Sequence, residues 1–330
     1  MAGTLLLSDI DVRKLIGMRE VVHAVEDVFR QHGLGKVAMP AKITLDMTPF
    51  GYDSDMNAMP AFIEELGIAG LKWVGGFGAN PPQGLPYILG MLILVEPLSG
   101  EPLAVMEAAW ITAVRTGASA AVGAKYLAPE GAKIAAIIGA GVQGRTCLSA
   151  LDVAMELDEV RIADISADAL SRFMDDMTGK VGVDLKKAKS VQEAVTDADI
   201  IITVTTADEP LVMEDWVQPK AVVLSLGSYP ELDEALVLSA SKLVVDSWAQ
   251  TKHRGEFARL YARGEIDDDS IYAELGSIVA GKVAGREKED GRIVVCPIGM
   301  GTEDVAVAKM IYDRARESGV GQTFTFVHLP

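Results

Sequence analysis

Cysteine is almost absent from this 330-residue chain, which holds only Cys147 and Cys296, far apart and in no paired spacing. Neither a disulfide framework nor a cysteine-ligated zinc site can be assembled from them. Histidine is scarce as well, and His23, His32, His253 and His328 show no spacing that suits a metal or a catalytic triad. No resident metal is expected, and the strained serine turn of the α/β-hydrolases is missing too. Long apolar runs are lacking: Ile88 to Val95, among the longer ones, falls far short of the ~20 residues that a membrane helix needs. The first fifteen residues carry a three-leucine run amid charges but no signal-peptide pattern, so the expected compartment is the cytoplasm. Cations are outnumbered, 30 Lys and Arg against 47 Asp and Glu, for a formal charge of −17. Such a surface repels nucleic acid and anionic membrane at long range, so neither is an expected partner. A small anionic substrate can bind only where cations are placed locally.

Apolar residues, by contrast, make up 49% of the chain, enough for two packed cores at this length. Met18 to Leu34 sets Val21, Val22, Val25, Val28 and Phe29 at helical spacing. From Ala38 to Leu103 short runs (Lys42–Leu45, Gly70–Val74, Tyr87–Val95) alternate with Gly, Pro and Asn clusters, which reads as strands and turns of an antiparallel sheet. A helix over Trp110–Tyr126 leads out of this region. Beyond it, strands at Lys133–Ile138, Val160–Ala163, Ile200–Val204, Val222–Leu226 and Lys242–Val245 are expected to alternate with helices such as Val142–Glu156 and Asp168–Met177. That alternation means βαβ units and a parallel sheet covered on both faces. A last helix, Asp304 to Ser318, should end at Gly319. No internal repeat or low-complexity segment interrupts the chain.

The segment Ile134–Gly144 reads IAAIIGAGVQG, so Gly139, Gly141 and Gly144 form a complete G-x-G-x-x-G after an apolar strand. The first glycine allows a tight turn, the second lets backbone approach a pyrophosphate, and the third lets the helix pack on the strand. The amides that open the following helix favour phosphate charge. Glycine-rich turns alone are common, but here a strand precedes, a helix follows and an acid closes the next strand. That acid, Asp164, stands twenty residues beyond Gly144, the offset at which a carboxylate accepts hydrogen bonds from an adenosine ribose. No arginine follows it to receive a 2′-phosphate. The expected cofactor is therefore NAD rather than NADP, with Val142 inside the phosphate-binding loop.

Three cations sit in apolar surroundings. Lys72 interrupts a run, Ala69 to Val74, that otherwise reads as buried strand. Its stem can cross apolar surface to reach water, or its amine can be desolvated and suited to acid–base work near neutrality. Lys42 follows a turn and admits the same two readings. Arg115 lies in a helix of small residues, either in a surface ion pair or as a two-pronged clamp for a carboxylate. Composition does not choose between them.

The ordered blocks GKVAMPAKITL (Gly35–Leu45), NAMPAF (Asn57–Phe62), AGLKWVGG (Ala69–Gly76), NPPQGLP (Asn80–Pro86) and PLAVMEAAWITAVRTGA (Pro102–Ala118) together resemble the ornithine cyclodeaminase/μ-crystallin family, and within it the archaeal-type alanine dehydrogenases. The likeness continues through TVTTADEP (Thr203–Pro210), VVDSWAQTKHRGE (Val244–Glu256), AELGSIVAGKVAGRE (Ala273–Glu287) and GMGTEDVAVAK (Gly299–Lys309). The resemblance implies an α/β protein: a Rossmann-type doubly wound parallel sheet over residues 117–302, and an α+β substrate-binding and dimerisation domain formed by 1–116 with 303–330. It implies a homodimer. It also implies that Lys42, Lys72 and Arg115 surround the substrate carboxylate and reacting carbon, with Asp304 near the nicotinamide. Thr116, Gln143, Thr205 and Leu226 would line the cofactor site.

The expected activity is NAD(H)-dependent redox chemistry at the α-carbon of a small amino or imino acid, either as an alanine dehydrogenase or as a reductase of cyclic imines. The alternatives are an ornithine cyclodeaminase and, from another class, a non-catalytic nucleotide-binding protein like μ-crystallin. A mere binder has little need of three converging cations. Two positions depart from the specialised members. Alanine dehydrogenases of the family carry arginine just before the AMPA segment, where Asn57 stands here. Cyclodeaminases carry an acid after the nicotinamide-side strand, where this chain offers Tyr229 and only then Glu231 and Asp233.

Overall fold

The computed structural model describes residues 3–326, so His328 lies outside the described residues. The chain divides into two compact units, Met1–Arg115 with Met300–Pro330, and Thr116–Gly299.

In chain order the first unit begins with β1 (Thr4–Leu7), α1 (Asp9–Leu15), α2 (Met18–Gly33), β2 (Val37–Ala38) and β3 (Ile43–Asp46). It continues through β4 (Ser54–Ile63), β5 (Ile68–Phe77), β6 (Ile88–Val95) and β7 (Pro102–Glu107) into α3 (Ala109–Leu127). The second unit runs β8 (Ile134–Ile138), α4 (Val142–Ala154), β9 (Glu159–Ala163), α5 (Ala167–Met177), β10 (Asp184–Lys187), α6 (Val191–Val195) and β11 (Ile200–Thr203). There follow β12 (Val222–Ser225), α7 (Glu234–Leu238), β13 (Lys242–Val245), α8 (Trp248–Thr251), α9 (Ala258–Arg263), β14 (Ala273–Glu274), α10 (Leu275–Val279) and β15 (Ile293–Cys296). The chain then returns to the first unit with α11 (Gly301–Ser318) and β16 (Gln322–Phe324).

The sheet of the first unit has the order β16-β1-β7-β6-β5-β4-β2, with β3 also paired to β4. The meander from β2 to β7 is antiparallel, as the short runs between Gly, Pro and Asn clusters predict, but β1 joins β7 in parallel. A four-residue strand at the N-terminus, with its pairing partner a hundred residues away, leaves no local signature. On β4, Asn57, Met59, Ala61 and Ile63 face inward, and on β5 Ile68, Gly70, Lys72 and Val74 do so. α11 packs on this face of β4, β5 and β6, and α2 packs on α11. Gly301 makes the seat possible, because a Cβ there would stand 2.8 Å from the Met59 carbonyl oxygen. At the other end α11 stops at Gly319, whose φ of 68° is the left-handed conformation that glycine adopts without strain.

The sheet of the second unit is wholly parallel, in the order β10-β9-β8-β11-β12-β15-β13-β14. It is the doubly wound arrangement, with β15 inserted between β12 and β13. Every residue of β11, β12, β13 and β15 is buried, which explains runs of Ile and Val without alternation. Each such side chain stabilises the fold by about 1.5–3 kcal/mol relative to exposure, so this sheet is the main core. Strand order reverses between β8 and β11, and ligands of such sheets bind outside the carboxyl ends of the strands at that point.

Candidate active site

Three of the predicted site residues come together in the first unit. Lys72 is fully buried on β5, paired in register with Met59 of β4 and Leu92 of β6. An ammonium among such neighbours demands a counter-charge. Asp304, in the first turn of α11 and fully buried, supplies it at 2.7 Å. The same carboxylate accepts a hydrogen bond of 3.0 Å from Arg115 Nε, and Arg115 Nη1 donates to Glu303 Oε2 at 3.2 Å. Glu303 in turn receives the Met300 amide at 3.3 Å, closing the start of α11. Two cations therefore face two anions, and both acids stand at the positive end of an 18-residue helix, where negative charge is favoured.

The Lys72–Asp304 contact is close but poorly aligned: the amine and Asp304 Oδ2 each lack a hydrogen-bond partner of good geometry. The amine keeps donor capacity for another group. Burial, reinforced by the neighbouring Arg115, lowers the Lys72 amine from 10.5 to about 8 against the opposing pull of Asp304 and Glu303. A buried amine that titrates near neutrality is the right kind of group to hold or release a proton.

Lys42 is half-buried and lies one residue ahead of β3, whose Ile43 pairs with Ala58 of β4. Met59, next along, pairs with Lys72. Lys42 thus adjoins the rung next to that of Lys72. Asn57 is 8% exposed on the inward face of β4, opposite Val74, and accepts a 2.7 Å hydrogen bond from the Thr44 hydroxyl. A neutral amide, not a cation, stands there.

In the second unit the glycine loop and Asp164 also meet. Asp164 Oδ2 accepts from the Ala140 amide at 2.7 Å and Oδ1 from the Ser166 amide at 2.8 Å, so the end of β9 is tied to the loop. Gly139 has a φ of 115°, and a Cβ there would lie 2.9 Å from the Val204 carbonyl oxygen. A Cβ on Gly144 would stand 2.1 Å from the Gly139 oxygen, whereas at Gly141 it would meet nothing within 4 Å. Gly141 is thus small without any protein neighbour requiring it, which is the mark of room kept for a ligand. It opens α4 with no side-chain cap, leaving first-turn amides available, and Val142 is exposed beside them. Gln143 is partly buried, its Oε1 3.3 Å from the Thr146 hydroxyl. The loop fits a dinucleotide pyrophosphate.

Thr205 lies in the turn after β11, and Leu226 directly follows β12 and is buried. Thr116 is buried on α3, the residue after Arg115. Tyr229 stands in the bend beyond β12, partly buried. Sequence reasoning gave no role to the buried acids Glu303, Glu231 and Glu256. Glu231 Oε1 accepts both the amide and the hydroxyl of Thr205, at 2.8 and 2.6 Å. Glu256 accepts from the Ser225 hydroxyl and from the amides of Glu231 and Leu232, at 3.0, 3.0 and 3.1 Å. Burial pushes both carboxyls up, Glu256 to about 7. The sequence around Glu231, Gly227 to Glu234, is polar and turn-forming and carries no signal of burial. Among the described residues no group of three or more His, Cys, Asp or Glu could hold a metal ion, and no helix is long and apolar enough to cross a membrane.

One doubly wound unit that carries the dinucleotide fingerprint, and another that buries a lysine–aspartate–arginine cluster, make this a two-unit α/β protein. The chain belongs to the ornithine cyclodeaminase/mu-crystallin family, whose model it matches over residues 3–319. It is 35% identical to the alanine dehydrogenase of Archaeoglobus fulgidus over 99% of both chains. Among solved structures, the Δ1-pyrroline-2-carboxylate reductase of Thermococcus litoralis, in complex with NADH and L-proline, is 36% identical with a TM-score of 0.93. That match covers 97% of this chain and 100% of the other. An archaeal alanine dehydrogenase dimer with bound NAD is 35% identical with a TM-score of 0.91, covering 98% and 99%.

Proposed function

We propose that this protein is an NAD(H)-dependent oxidoreductase that moves hydride to or from the α-carbon of a small amino or imino acid. The observation that carries the reading is the buried Lys72–Asp304–Arg115 cluster, with its amine at about 8 and its donor capacity unfilled. Family membership and the relatives that hold NAD or NADH support the cofactor. NAD supplies the acceptor or donor of hydride when bound, and direct transfer requires its nicotinamide carbon and the substrate α-carbon to meet.

The chain's own residues have the following roles in this reading. Gly139, Gly141, Val142, Gln143 and Gly144 cradle the pyrophosphate, and Asp164 accepts from the ribose hydroxyls. Thr116, Thr205 and Leu226 line the remainder of the cofactor site. Arg115 and Lys42 hold the substrate carboxylate. Lys72 gives a proton to the nitrogen side in reduction, or takes one as water adds and ammonia departs in oxidation. Asp304 orients Lys72 and Arg115 together.

The first unit would be the substrate-binding and dimerisation unit and the second the NAD-binding unit. Exposed Ile43, Leu45, Phe50, Tyr52, Leu89 and Met91 give the first unit an apolar surface that a second copy would cover, in keeping with the dimer of the archaeal relative. Unpaired, buried Cys147 and Cys296 suit a cytoplasmic protein. Asn57 and Tyr229, both uncharged, favour a short or ring-shaped substrate over one with a distal amine. NADH absorbance with pyruvate plus ammonia, pyrroline-2-carboxylate and piperideine-2-carboxylate tests the reading. Loss of NADH with at least one is the expected result, and inertness toward all of them would sink it.

A further inference from the structure

Two carboxylates of the second unit lie outside every role given above, yet both are buried and both reach the turns that follow β11 and β12. Glu256, between α8 and α9, gathers the Ser225 hydroxyl and the amides of Glu231 and Leu232. That fixes the chain where it leaves the bend after β12. Glu231, so held, turns its own carboxylate to the turn after β11 and takes both the amide and the hydroxyl of Thr205. The Thr205 hydroxyl then accepts the Ala207 amide at 3.1 Å. Gly227 lies against the same acid: a Cβ there would be 3.1 Å from Glu231 Oε2. That oxygen is buried with no aligned donor.

Stability alone is a poor reason for this arrangement. Two acids close together in an interior are costly, and apolar side chains of similar volume commonly hold a core as well or better. What the pair provides is geometry. It ties three separate segments together at the carboxyl ends of adjacent strands, where ligands of doubly wound sheets bind. We propose that Glu231 is a positioning residue for the dinucleotide site: braced by Glu256, it holds Thr205 in the orientation that receives the cofactor. The proposal rests on the reading of the second unit as the NAD-binding unit.

The test is the NADH dissociation constant, read by fluorescence titration alongside the melting temperature. Glu231→Met fills the same volume without an acceptor, and it should weaken NADH binding about tenfold, the worth of a lost hydrogen bond to a charged group. Glu231→Gln keeps an oxygen for Thr205 and should stay within about threefold of the unaltered protein. Thr205→Ala should weaken binding as Glu231→Met does, and the double variant should lose no more than either alone, because one interaction cannot be removed twice. Wild-type affinity in Glu231→Met, or losses that add in the double variant, would overturn the proposal. If the unaltered chain itself fails to bind NADH, the NAD reading and this proposal fall together, and that arm alone reveals it.

Discussion

Replacing Lys72 by methionine separates catalysis from stability with unusual clarity. The methionine reaches nearly as far along the same buried face, between Met59 and Leu92, and removes only the ammonium. Asp304 loses its 2.7 Å partner but keeps Arg115 at 3.0 Å, so its charge is not stranded. The amine's fall from 10.5 to about 8 is a net penalty on the charged form of roughly 3 kcal/mol. The sign follows from proton counts. Between pH 8 and 10.5 the unfolded chain holds the proton that the folded chain has released, so stability rises with pH across that window. Below pH 8 the penalty is paid in full. That net figure already includes the attraction of Asp304, so Lys72→Met removes it and its melting temperature at neutral pH should match or exceed that of the unaltered protein. Turnover, in contrast, should fall by about 10²–10⁴, the usual worth of a positioned acid–base group. The unaltered enzyme should lose imine reduction as pH rises through about 8 and gain amino-acid oxidation over the same range, since one direction needs the proton on Lys72 and the other needs it off. Steady-state rates in both directions, with calorimetry on the same samples, supply the data. Full activity of Lys72→Met between about pH 6 and 9 would refute the assignment.

Arg115→Lys keeps a charge beside Glu303 and Asp304 but loses the planar fork; KM for the amino or imino acid should rise about tenfold while the NADH dissociation constant stays within about twofold. An unchanged KM would remove Arg115 from the substrate site. Asp164 should favour NADH over NADPH by more than about tenfold in kcat/KM. Asp164→Ser with Ile165→Arg should shift that preference, Ile165 being fully exposed, whereas arginine at Ser166 would cost about 1 kcal/mol by uncapping α5. Equal use of both cofactors by the unaltered chain would contradict the Asp164 role. Met91→Lys with Leu45→Lys charges the exposed apolar surface of the first unit and should turn a dimer into a monomer in light scattering, and an unaffected dimer would place the interface elsewhere.

The second unit was largely legible because its signals are local. Three glycines, a preceding apolar strand and an acid at fixed offset are all written within Ile134–Asp164, and in the structure Asp164 accepts the Ala140 amide of the glycine loop. The first unit was less so. Lys72 looked equally like a lysine reaching for water, because its counter-ion is contributed by α11, 232 residues later in the chain. Only the family likeness raised Lys72, Arg115 and Asp304 together. Glu303 and Glu256 gave no warning, since an acid after a turn is ordinarily solvated and nothing nearby announces the buried amides that donate to it. Glu231 was noticed in sequence only as an acid that follows Tyr229; its meeting with Thr205 depends on how β11 and β12 end side by side.

The central claim, net hydride transfer to the α-carbon, is tested most directly with NADH carrying deuterium at the transferable position of the nicotinamide. Pyrroline-2-carboxylate, or pyruvate with ammonia, is incubated with the protein and the product amino acid is examined by mass spectrometry and proton NMR. One deuterium at the α-carbon is expected for each NADH consumed. Proline and ammonia formed from ornithine with catalytic NAD and no net NADH loss, together with no deuterated product from either imine source, would contradict it.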